Sequence, residues 1–221
     1  MKLRHTLLNP AVLAREEQEL LTAWAQEVPG FVFDGLPDPA QYCRAPLRIL
    51  YLLKEVNGGE SWDLRQYLRE GARRQTWNVV ARWTEAILHP EADPSWAALS
   101  TGNDERRKAV LPCICAVNLK KTAGTYTADP RLIHQTARQN GDRLKQQLAL
   151  YQPDIIICCG TGWSYARLAT PQPVWRTTSR GVRYFVEPTG TLVIDYVHPE
   201  ARVAGNLLHY ALIDAIREIL S

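Results

Sequence analysis

Three short segments of this sequence gather side chains suited to hydrolysis or to recognition of a polar ring. Lys54-Glu55-Val56-Asn57-Gly58-Gly59-Glu60 holds a carboxylate and an amide that can orient or activate a water. Its two glycines let backbone approach a ligand closely. Asn118-Leu119-Lys120-Lys121 offers an amide whose donor and acceptor stand side by side, the arrangement that suits the Watson–Crick edge of a base. The two lysines after it can meet phosphate. His198-Pro199-Glu200 places a histidine, held by a following proline, where it can donate to a developing anion. Each segment also has an ordinary reading: a solvated turn, a strand terminator with solvated lysines, a structural histidine. Gly160-Thr161-Gly162 can form an anion-binding helix entrance, although its spacing is not a Walker or dinucleotide fingerprint.

The elements that must position these segments follow from apolar patterning. Asn9-Pro10 opens a helix through Val28, and the proline-rich stretch 30–47 reads as an irregular connector. Residues 48–53 form a buried strand. Ser61 can cap a helix carrying Trp62, Leu64, Tyr67 and Leu68 that stops at Gly71, and a second helix runs from Thr76 to Leu88. Residues 90–108 read as loop, and 109–118 as strand. Asp129-Pro130 begins one long amphipathic helix to Tyr151, and 154–159 is the clearest buried strand. A short helix follows, then strands at 182–186 and 191–197. The last helix shows Leu208, Leu212, Ala215 and Ile219 on one stripe. The expected fold is α/β: three layers, α/β/α, with a central, mostly parallel sheet. Ligands in such sheets bind at the carboxyl ends of the strands, which here are residues 54–60, 118–122, 160–163 and 198–201.

Composition bounds the partners. The 221 residues carry 46% hydrophobic and 22% charged side chains, which fits one domain, 1–221, with an N-terminal helical segment 1–30. A formal charge of +3 permits a nucleic-acid partner if the cations cluster, without demanding one. The five cysteines lack the C-x-x-C spacing of a zinc site and read as buried, reduced thiols, so no metal is expected. No signal-peptide core or membrane-length apolar run is present, and the expected location is cytoplasmic.

Taken in order, these segments resemble the uracil-DNA glycosylase superfamily over roughly residues 45 to 219. KEVNGGE stands where family members carry water-activating loops such as G-E-A-P-G or G-M-N-P-G. AVNLKK is similar to the N-V-V-K of the bacterial and archaeal branch, YQPDIIICCGTG to its Pro-x-x-Ile segment, and VIDYVHPEARV to the terminal H-P-S motif. The resemblance implies a base-excising hydrolase acting on uracil or a modified pyrimidine in DNA, in repair or in phage defence. Asn57 or Glu55 would position the attacking water and His198 would stabilise charge on the departing base. Asn118 would bond the flipped base, Tyr67 would stack on it, and Gly58 and Gly59 would leave a roomy pocket.

Lys120, Lys121 and Arg202 would contact DNA, with Ala201-Arg202-Val203 as a wedge and Arg65, Arg69, Arg73 and Arg74 as further phosphate contacts. The partner would be DNA, single- or double-stranded, with no membrane, no cofactor and a monomeric chain. Three departures stand out. Glu200 replaces the H-P-S serine, no proline follows Asn57, and Thr122 stands where the cluster-bearing branch has a cysteine, so no iron–sulfur cluster is implied. Glu200 and the altered first motif leave open an inactive nucleic-acid-binding relative. The low net charge leaves open an enzyme acting on free nucleotides or nucleosides.

Overall fold

The structure, a computed structural model, describes residues 7–59, 62–125, 127–169 and 172–221. Asn9 caps α1 (Pro10–Ala25) by accepting from two backbone N–H groups, and the proline fills an early helical position. β1 (Ile49–Leu53), β2 (Cys115–Asn118), β3 (Ile155–Cys159) and β6 (Leu192–Tyr196) pair in parallel. The antiparallel strands β5 (Arg183–Val186) and β4 (Arg176–Thr177) extend this sheet at one edge, giving the order β2-β1-β3-β6-β5-β4.

Alternation along each strand splits the core into two layers. Ile49, Tyr51, Leu53, Ile157 and Ile194 face α3 (Leu64–Arg69), α4 (Arg74–Leu88), α6 (Asn103–Val110) and α10 (Gly205–Leu220). Leu50, Leu52, Val117, Ile156 and Val193 face α1, α2 (Pro39–Arg44), α7 (Pro130–Gln139), α8 (Gly141–Tyr151) and α9 (Gly162–Ala169). Both faces being covered explains why β1 and β3 are apolar without alternation and buried at every position. The expected three-layer α/β/α architecture with a mostly parallel sheet is what the chain adopts. No helix among the described residues is long and apolar enough to cross a membrane.

Several local expectations need correction. The connector 30–47 contains α2, capped by Asp38, and its first part runs beside β2 through bridges Phe31↔Thr122 and Gly35↔Ala116. This covers an edge whose backbone groups would otherwise be open. Residues 90–108 fold into α5 (Trp96–Leu99) and most of α6, and strand character starts only at Cys115. The helix expected over 130–151 breaks at Asn140 into α7 and α8. Asp63 caps α3; the cap expected at Ser61, like Glu60, lies outside the described residues.

One buried histidine predicts an acid-sensitive fold. His209 on α10 is 3% exposed, and its Nδ1 has no partner among the described residues. Burial, and then the charges of Arg82, Arg106 and Arg217 against the opposing Glu85, lower its pKa to about 4. An unfolded chain takes up this proton near the ordinary value of about 6.5. Stability from the neutral ring is therefore complete above that value and lost as pH falls from there toward 4, by up to roughly 3 kcal/mol. The expected result is a urea midpoint that drops across this window, with the drop blunted in His209→Phe. Equal slopes for parent and variant would contradict the assignment.

Candidate active site

The chemistry-bearing segments meet at the carboxyl end of the parallel sheet, on the α3/α4 side. A cavity of about 480 Å³ is lined by Glu55, Asn57, Gly58 and Gly59 after β1, Asn118 at the end of β2, and His198 and Glu200 after β6. Its aromatic wall comes from Trp62, Tyr67 and Trp77. Nine residues singled out in the sequence, Glu55, Asn57, Gly58, Gly59, Tyr67, Arg73, Asn118, His198 and Glu200, thus share one cavity. The turn at 160–163 does not line it.

Asn118 is the buried polar centre of this cavity. Strand alternation sends Val117 into the opposite layer, so Asn118 faces the same side as its register partner Leu53. Asn118 is 2% exposed, yet neither its Nδ2 nor its Oδ1 has a hydrogen-bond partner among the described residues. Buried polar groups are nearly always paired, so both ends of this amide are open to water or to a ligand that enters the cavity. Its backbone is fixed: the N–H donates to Asp34 Oδ2 at 2.7 Å.

Asp34 belongs to a buried network that sequence reasoning missed. Lys121 Nζ donates to Asp34 Oδ1 at 2.7 Å and to Gln147 Oε1 at 2.7 Å. Gln147 reaches Tyr151, whose hydroxyl donates to Glu17 Oε1 at 2.8 Å, and Arg65 pairs with Glu17 and Asp63. The partners come from five separate stretches of chain, so no local spacing announces the network. It also overturns an expectation, because Lys121 is 2% exposed and its ammonium is engaged in the core, where no phosphate reaches. Burial lowers the Lys121 pKa, with Asp34 opposing. Arg65 is likewise buried in ion pairs rather than presented to DNA. Lys121→Met leaves Asp34 as an unpaired buried carboxylate, and the expected cost in urea unfolding is about 3–5 kcal/mol. A change of only a few tenths, together with a shallower salt dependence of DNA binding, would restore Lys121 to the surface role.

Lys120 is also withdrawn from solvent. Its ammonium contacts Glu55 Oε2 at 2.5 Å and donates to the carbonyls of Thr122 and Ala123. The ion pair ties the loop after β1 to the loop after β2, as does the bridge Asn57↔Gly124. A Cβ on Gly124 would lie 2.0 Å from the Glu55 carboxyl carbon, so only glycine lets the loops close this tightly. Asn57 remains exposed at the cavity. Gly58 and Gly59 both take left-handed φ values, 75° and 73°, and this turn lets Trp62 Nε1 donate back to Gly58 O at 3.1 Å. Trp62 packs edge-on against Tyr67, whose hydroxyl accepts from Arg73 N at 2.8 Å.

His198 and Glu200 form the opposite wall. The backbone N–H of Glu200 donates to His198 Nδ1 at 3.1 Å, so a neutral ring carries its proton on Nε2 as a donor. Burial lowers the His198 pKa; the Glu200 charge opposes this and Lys54 adds to it. The ring is therefore neutral near pH 7. The Glu200 carboxylate turns across the cavity, where Oε1 accepts from Thr76 Oγ1 at 2.6 Å and lies 4.0 Å from Arg73 Nη2. Thr76 and Trp77 carried no sequence signal beyond helix periodicity. Arg202 is exposed just beyond this turn. The five cysteines are free, and Cys43 and Cys113 are only partly buried rather than fully so.

Comparison of the chain with known protein families and with curated proteins finds no match.

Proposed function

We propose that the protein is a DNA glycosylase that hydrolyses the N-glycosidic bond of a flipped-out uracil or modified pyrimidine. The observation that carries this reading is the unpartnered, buried Asn118 amide in the same cavity as a neutral His198 whose free nitrogen is a donor. An amide presents one donor and one acceptor in a plane, the complement of a pyrimidine edge. The His198 Nε2–H donates to the carbonyl oxygen on which charge grows as the base departs. Tyr67, Trp62 and Trp77 supply apolar walls for the ring.

Water is the nucleophile in this reading, and the two candidate residues take different roles. Glu55 is committed to Lys120 and clamps the two loops, so it is a positioning residue. Asn57, exposed at the cavity, is the group assigned to hold the attacking water. Glu200 is tied back to α4, where Oε1 accepts from Thr76, so part of its charge is engaged within the protein. The cavity volume of about 480 Å³ leaves room beyond a bare pyrimidine ring.

One observation favours a second reading, an enzyme acting on free nucleosides: Lys120 and Lys121 are both removed from the surface. Oligonucleotides carrying a single uracil or a C5-modified pyrimidine test the choice. Abasic sites opposite or without a complementary strand are expected. Release of base from nucleosides, with no abasic product from any oligonucleotide, would replace the glycosylase with the nucleoside enzyme.

A further inference from the structure

We propose that Trp163 and Arg167 on α9 form a stacking platform for an unpaired nucleotide flanking the one held in the cavity, so that the protein prefers single-stranded DNA. The inference rests on the glycosylase reading for its ligand, but on different residues. Trp163 is 59% exposed, an unusual place for a tryptophan in a chain that buries Trp24 and Trp83 almost completely. The Arg167 guanidinium lies over its ring, 4.3 Å from the centroid. Arg167 Nη1 in turn lies 3.4 Å from His134 Nε2, whose other nitrogen lies 3.4 Å from Ser164 Oγ. The pair is thus braced against α7 rather than loose.

Charge and distance both select the occupant. Arg167, Arg138 and Lys145 line one shallow depression of about 220 Å³ beside the tryptophan, with Asp142 as its one carboxylate. No ion pair of Arg138, Lys145 or Arg167 occurs among the described residues, so their charge faces solvent. An exposed aromatic face with unpaired cations beside it suits a single strand, since every base has a π-face while only an unpaired base can present it. The platform starts at the same end of the sheet as the cavity, at the strand end next to the one that carries His198. Gly160 N donates to Tyr196 O at 2.7 Å; from that contact two residues lead to His198 and three lead to Trp163, chain lengths of at most about 7 and 11 Å.

Fluorescence anisotropy with a fluorescein-labelled single strand of about 15 nucleotides, and with the same sequence as duplex, tests this. The parent protein is expected to bind the single strand more tightly. Trp163→Ala should weaken single-strand binding roughly tenfold while Trp163→Phe keeps most of it, and Arg167→Ala should lower the salt slope by about 0.7. The exposed positions make unfolding of these variants unexpected, and circular dichroism checks it. Unchanged single-strand affinity in Trp163→Ala, with the parent forming abasic sites, would overturn the platform and leave the glycosylase standing. A parent that binds no DNA and forms no abasic sites would overturn both. Loss of affinity in Trp163→Ala without any abasic product from the parent would support the platform and sink the excision chemistry.

Discussion

Asn118→Ala is expected to lower base excision at least a hundredfold while leaving the protein as stable as the parent, or more so. These two outcomes rarely come together, because truncating a buried polar residue usually costs stability through lost hydrogen bonds. Here no bond to protein is lost, since neither amide atom has a partner among the described residues. An unmade buried donor or acceptor costs about 1–3 kcal/mol, so deleting both removes a penalty that outweighs the small void left behind. With base in the cavity the balance reverses. Two bonds then form out of water, and their loss in the transition state is worth a factor of about 10 for every 1.4 kcal/mol. Single-turnover excision and urea unfolding on the same preparation check the pair of outcomes. A destabilised variant with intact turnover would make Asn118 a structural residue and empty the site of its base reader.

The second large effect concerns His198. His198→Gln is expected to slow excision by about two to three orders of magnitude, the usual consequence of removing a donor aimed at a developing anion. The pH profile carries the more specific prediction. The ring accepts from Glu200 N at Nδ1, so protonation would set two N–H donors against each other and turn the ring from its position. On the proposed reading, the neutral ring is thus the working form. Its folded pKa lies below the ordinary 6.5 because burial disfavours the charge, with Lys54 in support and Glu200 opposed. Activity should therefore persist as pH drops past 6.5 and fall only through that lowered value. The stability linked to the neutral ring follows the same direction, complete above 6.5 and lost toward acid. In His198→Gln the acid limb should disappear along with most of the rate. A limb unchanged in the variant would assign it to another group.

How much of this was legible in the sequence depended on whether the signal was local. The buried strands at 49–53 and 155–159 stand out as apolar runs, and Asn9-Pro10 and Asp129-Pro130 announce helix starts through their caps. Parallel topology then places the strand ends together, which brings Asn57, Asn118 and His198 to one end of the sheet. The errors share the opposite property. Lys121 reads as a surface cation because its neighbour is also lysine, and only the fold brings Asp34 and Gln147 to it. Lys120 reads as a phosphate contact for the same reason, and its partner Glu55 is 65 residues away. Asn140 breaks a helix that periodicity alone would continue, and the stretch 90–108 hides α5 and most of α6 beneath polar composition. Glu200 illustrates both sides. Its motif position was readable, but the hydroxyl of Thr76 that orients its carboxylate sits 124 residues earlier.

The central claim is that a pyrimidine enters the cavity and is read there by Asn118. A crystal structure with an oligonucleotide carrying a uridine whose sugar is fluorinated at the 2′ position, so that the glycosidic bond resists hydrolysis, tests it most directly. The account predicts the base extruded into the cavity beside Tyr67. Asn118 Nδ2 and Oδ1 should each lie within about 3.2 Å of its edge, and His198 Nε2 should face a ring carbonyl. DNA bound with that base still stacked in the strand, or a base in the cavity with the Asn118 amide still unpaired, would contradict it.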